Sequence, residues 1–196
     1  HGLYGVCPQT GQSWWADRVS PDFDPTRSAE DYVLREALPL AQKIAGGASQ
    51  SARVGLLGVG MGGQGALRLS YKFPDQFPVV AAIAPEIDFQ MHIEDGDPVL
   101  SAMYRDAEEA RQDTATLHIH PLNWPRHQWF CCNPQDYRWH DSGERLRMKL
   151  YSLGVMHQCD LDTEAGETQR EYIEAMATPA MEFLAERLEQ ERLRVV

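Results

Sequence analysis

The amino-acid sequence predicts an α/β fold with a mostly parallel sheet. Short apolar runs alternate along the chain with segments of helical periodicity. The central runs, residues 54–59 and 79–84, are apolar throughout, as parallel strands covered on both faces must be. The 196 residues suffice for one domain with a real core, and no repeat, low-complexity segment or linker divides them. A single domain over residues 1–196 is therefore expected.

Residues 3–7 (LYGVC) read as a short buried strand stopped by Pro8. An irregular loop follows, with Trp14, Trp15, Asp17 and Arg18, kept irregular by Pro21, Asp22, Asp24 and Pro25. Ser28 has Asp31 three residues on, a variant of the capping box, and opens a helix. Tyr32, Val33, Leu38, Ala41 and Ile44 give that helix its apolar side, and Gly46 and Gly47 end it. The run 54–59 is a strand, and the helix after it carries Ala66, Leu67 and Leu69 until Pro74 stops it. Residues 79–84 form the next strand, between Pro78 and Pro85. The acidic stretch 98–116 reads as helix, and 128–132 as strand. Leu146, Leu150 and Leu153 mark a helix with Gly154 as its stop, and residues 155–161 alternate as a strand. Last, Ile173, Met176, Ala177, Ala180, Met181, Leu184 and Leu188 share one helical face, with Pro179 as a start or a kink.

Hydrophobic residues make up 43% of the chain and charged residues 24%, an ordinary globular balance. Twenty-nine acids stand against 18 Lys and Arg, a net charge of −11 with no basic patch, which argues against a nucleic-acid partner. No apolar run approaches the ~20 residues needed to cross a bilayer, so no membrane partner is expected. Cys7, Cys131, Cys132 and Cys159 lack the spacing of a zinc or disulfide framework. They read as buried free thiols, which points to the cytoplasm. No signal peptide is visible, although the chain begins at His1 rather than Met.

The stretch GVGMGGQGAL, residues 58–67, has the spacing of a nucleophile elbow, a tight strand-to-helix turn. Such a turn needs small residues two before and two after its centre, and Gly58 and Gly62 supply them. The centre itself is Gly60, where a nucleophile would be expected. No GK[ST] follows, and no acid sits at a ribose-binding distance, so a phosphate loop is the weaker reading.

The longer run GVGMGGQGALRLSYKFPDQFPVVAAIAPEID resembles the putative-esterase branch of the α/β-hydrolases, which includes S-formylglutathione hydrolase (esterase D) and the mycolyltransferases. Their elbow reads like G-x-S-M-G-G-x-G-A-L. The resemblance extends to SWWADR, HPLNWPRHQWF and EYIEAMATPAMEFL, and so covers nearly the whole chain. It implies an α/β-hydrolase-like sheet with flanking helices, and a serine, acid and histidine triad in that order. The serine position is Gly60 and the acid position is Asp136, in CCNPQDYRW. The histidine position is Thr168, counted back from Tyr172, or Glu167 with a shift of one. Neither side chain is an imidazole base. The N–H of Met61 is the implied oxyanion donor.

The resemblance also implies that the chain starts at the family's fourth strand, without the first three strands and the loop carrying the second oxyanion donor. On that reading either the chain is part of a longer protein, or residues 3–7 pair directly with 54–59, or a partner fills the gap, and an N-terminally incomplete domain is the expectation. The expected character is that of a serine-carboxylesterase lineage with a lost nucleophile and histidine, inactive or very weak in ester hydrolysis. The alternative is a non-catalytic protein that holds a small ester or acyl ligand in the old cleft, with Trp14, Trp15 and Arg18 lining it. Trp124 and Trp129 read as packing or as pocket lining, and the acidic run 106–113 as a solvated helix face or a lid. His118, His120 and His127 include an HxH pair, but Pro121 follows at once and no third ligand is evident. They read as polar structural positions, and neither a metal nor a cofactor is expected. A glycosidase-like pair of Asp136 and Glu167 has no supporting sugar-binding pattern.

Overall fold

The computed structural model describes residues 2–46 and 54–194. Its centre is a four-stranded, wholly parallel sheet in the order β1 (Gly55–Val59), β2 (Val79–Ile83), β3 (His127–Cys131), β4 (Gln158–Asp160). Helices lie on both faces. The alternation of side chains along β2 and β3 divides the core in two. Val80, Ala82 and Phe130 meet α3 (Met61–Lys72) and α7 (Tyr137–Ser152) through Leu67, Leu146 and Leu150. Val79, Ala81, Ile83, Trp129 and Cys131 meet α8 (Gln169–Leu193) through Met176, Ala180 and Leu184. Every residue of β2 is buried, because it is covered on both faces and paired on both edges. Burying one large aliphatic or aromatic side chain stabilises by about 1.5–3 kcal/mol, so these two faces dominate folding.

Helix α1 (Ala29–Tyr32) begins where predicted, with the Ser28 hydroxyl accepting from the Asp31 N–H at 3.1 Å. One π turn, Val33–Ala37, joins it to α2 (Leu38–Gly46). Gly47, the other predicted stop, lies outside the described residues. Pro179 is inside α8 and neither starts nor ends it. Helix α8 starts ten residues earlier, at a capping box in which Thr168 accepts from the Glu171 N–H.

Three expectations fail. Residues 3–7 form no strand, and Leu3, Tyr4 and Cys7 are exposed. Gly5 and Pro8 interrupt the run and no neighbouring strand accepts it, so its apolar side chains have nothing to pack on. Cys7 is accordingly not a buried thiol and Cys159 is only half-buried, whereas Cys131 and Cys132 are buried, and burial pushes both up to about 12. The stretch 98–116 is not one helix. It breaks into α5 (Pro98–Met103) and α6 (Ala107–Arg111), because Tyr104 is extended and Asp106 caps a new start through the Glu109 N–H. The predicted strand 155–161 shrinks to the three residues of β4, the part that β3 can pair.

Helix α4 (Met91–Glu94) precedes α5, and together with α6 and the loop around Trp14 it builds a third cluster beside the sheet. Trp14, Phe89, Leu100, Met103, Tyr104 and Ala110 fill it, and Met61 packs against it. None of the described helices is long and apolar enough to cross a membrane.

Candidate functional site

Because all four strands run parallel, the segments that follow them gather at one edge of the sheet. Gly60 follows β1, Glu86 follows β2, Asp136 follows β3 and Thr168 follows β4. Neighbouring strands are spaced by ~4.8 Å, which makes the segment after β2 the nearest to Gly60.

Gly60 stands alone between β1 and α3, at φ 56° and ψ −122°. This is backbone that side chains rarely adopt, and glycine adopts it without strain. Its N–H donates to the Ile83 carbonyl at 3.0 Å, and its own carbonyl accepts from the Gln64 and Glu86 N–H groups, each at 3.1 Å. The turn is tight as well as tilted. A Cβ on Gly58 would lie 1.9 Å from the Gly62 carbonyl oxygen, so position 58 admits no side chain. Helix α3 then starts at Met61 with no side-chain cap, and its first N–H groups have no partner within the helix.

Glu86 reaches into the space that a side chain at position 60 would enter. Its Oε1 lies 3.1 Å from where a Cβ on Gly60 would stand. Its Oε2 is 3.1 Å from His92 Nε2. The His92 ring sits between Trp14 and Trp139, with centroid separations of 5.1 and 5.4 Å. Glu86 and His92 keep 21% and 27% side-chain exposure, so the pair lies at the surface of a site whose floor, Gly60, is buried.

Asp136 caps α7 by position, with no side-chain hydrogen bond to it. Burial raises its pKa, against the opposing pull of the Trp139 N–H, Arg138 and His140. Thr168 is occupied structurally, because its hydroxyl caps α8. Glu167 is exposed, and its N–H donates to Glu171 Oε2 at 2.7 Å. Trp14 is 5% exposed and stacks on Phe89 at 5.1 Å, and Trp15 packs over Gly65 of α3. Both tryptophans have positive φ, 52° and 55°. Arg18 pairs with Glu109 at 2.9 Å and lies over the Tyr104 ring. The faces of these three residues are thus engaged in packing and pairing.

The histidines of the HxH region go separate ways. His118 meets Asp113 at 3.0 Å, His120 accepts from the Leu122 N–H, and His127 meets Glu191 at 3.2 Å. Among the described residues, no three His, Cys, Asp or Glu side chains come together as a metal site. Of the acidic run 106–113, Asp113 faces inward and pairs with Arg68, so the run is not simply a solvated face.

Sequence reasoning missed Glu86 and His92. One signal was available: Glu86 comes just after the apolar run 79–84, at the sheet edge where Gly60 lies.

The model of the putative-esterase family matches residues 6–193. No curated protein matches the chain. Among solved structures, a ferulic acid esterase superposes with a TM-score of 0.62 at 15% identity, covering 83% of this chain and 62% of its own. An S-formylglutathione hydrolase from Agrobacterium tumefaciens gives 0.60 at 15% identity, covering 90% and 63%. MPT51 (FbpC1) of Mycobacterium tuberculosis gives 0.64 at 13% identity, covering 89% and 73%. The chain thus spans less than two thirds of the first of these structures, and the likeness at such identities is one of fold. The match over nearly the full length, on a parallel sheet with a glycine-floored strand-to-helix turn, places the chain in the putative-esterase family of the α/β-hydrolases.

Proposed function

We propose that this chain is an esterase-family scaffold without serine catalysis, inactive or very weak in ester hydrolysis. The observation that carries the reading is Gly60, a residue with no side chain at the tight, positive-φ turn between β1 and α3. In the family that turn presents the nucleophile. Thr168 supports the reading, since its hydroxyl is committed to the α8 cap and it offers no imidazole. Asp136 is then the retained acid, and the Met61 N–H the retained oxyanion donor. The scaffold's natural ligand would be a small ester or acyl compound, met in the cytoplasm.

The test is hydrolysis of a short-chain activated acetate ester by the unaltered chain, by Gly60→Ser and by Gly60→Ser/Thr168→His, against a buffer blank. A fluorophosphonate probe reports the nucleophile independently. The expected result is no phosphonate adduct on the unaltered chain and an adduct only on the double variant, which carries both a hydroxyl and an imidazole. A stoichiometric adduct on the unaltered chain would sink the reading and require another nucleophile.

A further inference from the structure

We propose that Glu86 is a general base that activates water directly over Gly60, with His92 as its positioning residue. This rests on the reading above, since it describes how a site without a serine can still hydrolyse an activated ester weakly.

Four observations converge on Glu86. Its backbone N–H is bonded to the Gly60 carbonyl at 3.1 Å, which locks it to the turn. Its Oε1 stands 3.1 Å from the position of the missing Cβ. The space left by the absent side chain is therefore bounded by a carboxylate on one side and by the uncapped start of α3 on another. Its Oε2 is held by His92, whose ring is held in turn by Trp14 and Trp139. Among the described residues Oε1 accepts no hydrogen bond from the protein, so it is the oxygen available to a water molecule. The backbone around the pair is also strained: Ala84, two residues before Glu86, has φ 44°, and Trp14 has φ 52°. Non-glycine residues rarely adopt that region, and such strain clusters at functional sites.

The step balances without a cofactor. Glu86 Oε1 takes a proton from a water molecule as the water oxygen bonds to the ester carbonyl carbon. The negative charge develops on the carbonyl oxygen, where the Met61 N–H and the α3 dipole receive it. Collapse breaks the bond to the alcohol oxygen, and the proton returns from Glu86 to that leaving oxygen. The products are an acid and an alcohol, and Glu86 is again ionised. No acyl group is ever attached to the protein. General-base assistance of this kind contributes about 10²–10⁴-fold, which suits activated esters and not stable ones.

The experiment uses the 196-residue chain with a short-chain activated acetate ester, and compares it with Glu86→Gln, His92→Gln and His92→Phe. Melting temperature is followed for each. The expected result is slow, saturable turnover by the unaltered chain, without a fluorophosphonate adduct. Glu86→Gln, nearly isosteric, should lose tenfold or more in kcat. His92→Phe should lose activity and His92→Gln should regain most of it, because a glutamine amide can still donate to Oε2. Turnover equal to the blank overturns the proposal, and so does a kcat unchanged in Glu86→Gln. If Glu86→Gln fails to fold, the contrast between the two His92 variants decides, and equal loss in both overturns the proposal. A phosphonate adduct would instead defeat the reading of the scaffold as lacking serine-type chemistry, which is a separable outcome.

Discussion

Asp136 illustrates at the residue scale how a motif match and an environment can diverge. The sequence resemblance assigns it the family's acid, yet its side chain makes no capping hydrogen bond to α7 and burial raises its pKa. A carboxyl group whose folded pKa is raised above its unfolded value opposes folding when ionised. That cost is fully present above the folded pKa and disappears as pH falls below the unfolded one, near ~3.9. Asp136→Asn should therefore leave the melting temperature at pH 7 unchanged or raise it slightly, whereas a stabilising cap residue would lower it on substitution. Thermal melts at pH 7 decide between the two. Gly60 presents the opposite case, because its residue type suits its backbone. A serine there would adopt φ 56° at a cost and meet the Glu86 carboxylate, so introducing a hydroxyl by one substitution works against two local forces.

At the element scale, Thr168 belongs to α8 before it belongs to any site. Its hydroxyl and the Glu171 carboxylate form a reciprocal cap on a 25-residue helix that covers one face of the sheet. Thr168→Ala should cost about 1 kcal/mol of stability by chemical denaturation. A loss below a few tenths of a kcal/mol would show that the cap is dispensable. Thr168→Ser should retain most of the stability. The elements themselves were largely legible in the sequence. Residues 54–59, 79–84 and 128–132 read as strands because nearly every position is apolar, and Ser28, Pro74 and Gly154 mark boundaries through local chemistry. Residues 3–7 and the ends of β4 were not legible, since a strand exists only where another strand pairs with it. Of Glu86 and His92, only the place of Glu86 just after an apolar run was legible. The two lie six residues apart, but their place over Gly60 depends on the turn after β1, the segment after β2 and the loop of Trp14 meeting.

At the scale of the whole molecule, one ion network ties the N-terminal loop and α1 to α3 and to the segment after α6. The Arg68 guanidinium, 1% exposed, meets Glu30, Asp113 at 2.5 Å and the Trp15 carbonyl at 3.3 Å. Lys72 meets Glu30 at 2.7 Å, Tyr104 donates to Asp113 at 2.7 Å, and His118 meets Asp113 at 3.0 Å. The network fixes the loop that carries Trp14, and through it the packing of His92 and the site edge. Arg68→Met should be among the most damaging single changes, because it removes the buried cation shared by Glu30 and Asp113 and leaves the buried Glu30 with Lys72 alone. Removing one member of a buried pair costs about 3–5 kcal/mol. The same network sets the acid limb of stability. Burial pushes Asp113 up, but the hydrogen bonds from His118, Arg68 and Tyr104 and the Arg68 charge outweigh it, and its pKa is held well below the usual carboxylate range. A depressed folded pKa contributes stability that is present above the unfolded value, near ~3.9, and is lost as pH falls toward the folded one. Denaturation of the unaltered chain between pH 6 and pH 2 should therefore show stability falling steeply below about pH 4. In Asp113→Asn the chain starts less stable at pH 6, and the slope below pH 4 should flatten by up to about 1.4 kcal/mol per pH unit, the value for one proton. An unchanged slope would mean that Asp113 does not carry the acid sensitivity and that the network holds the loop by geometry rather than by charge.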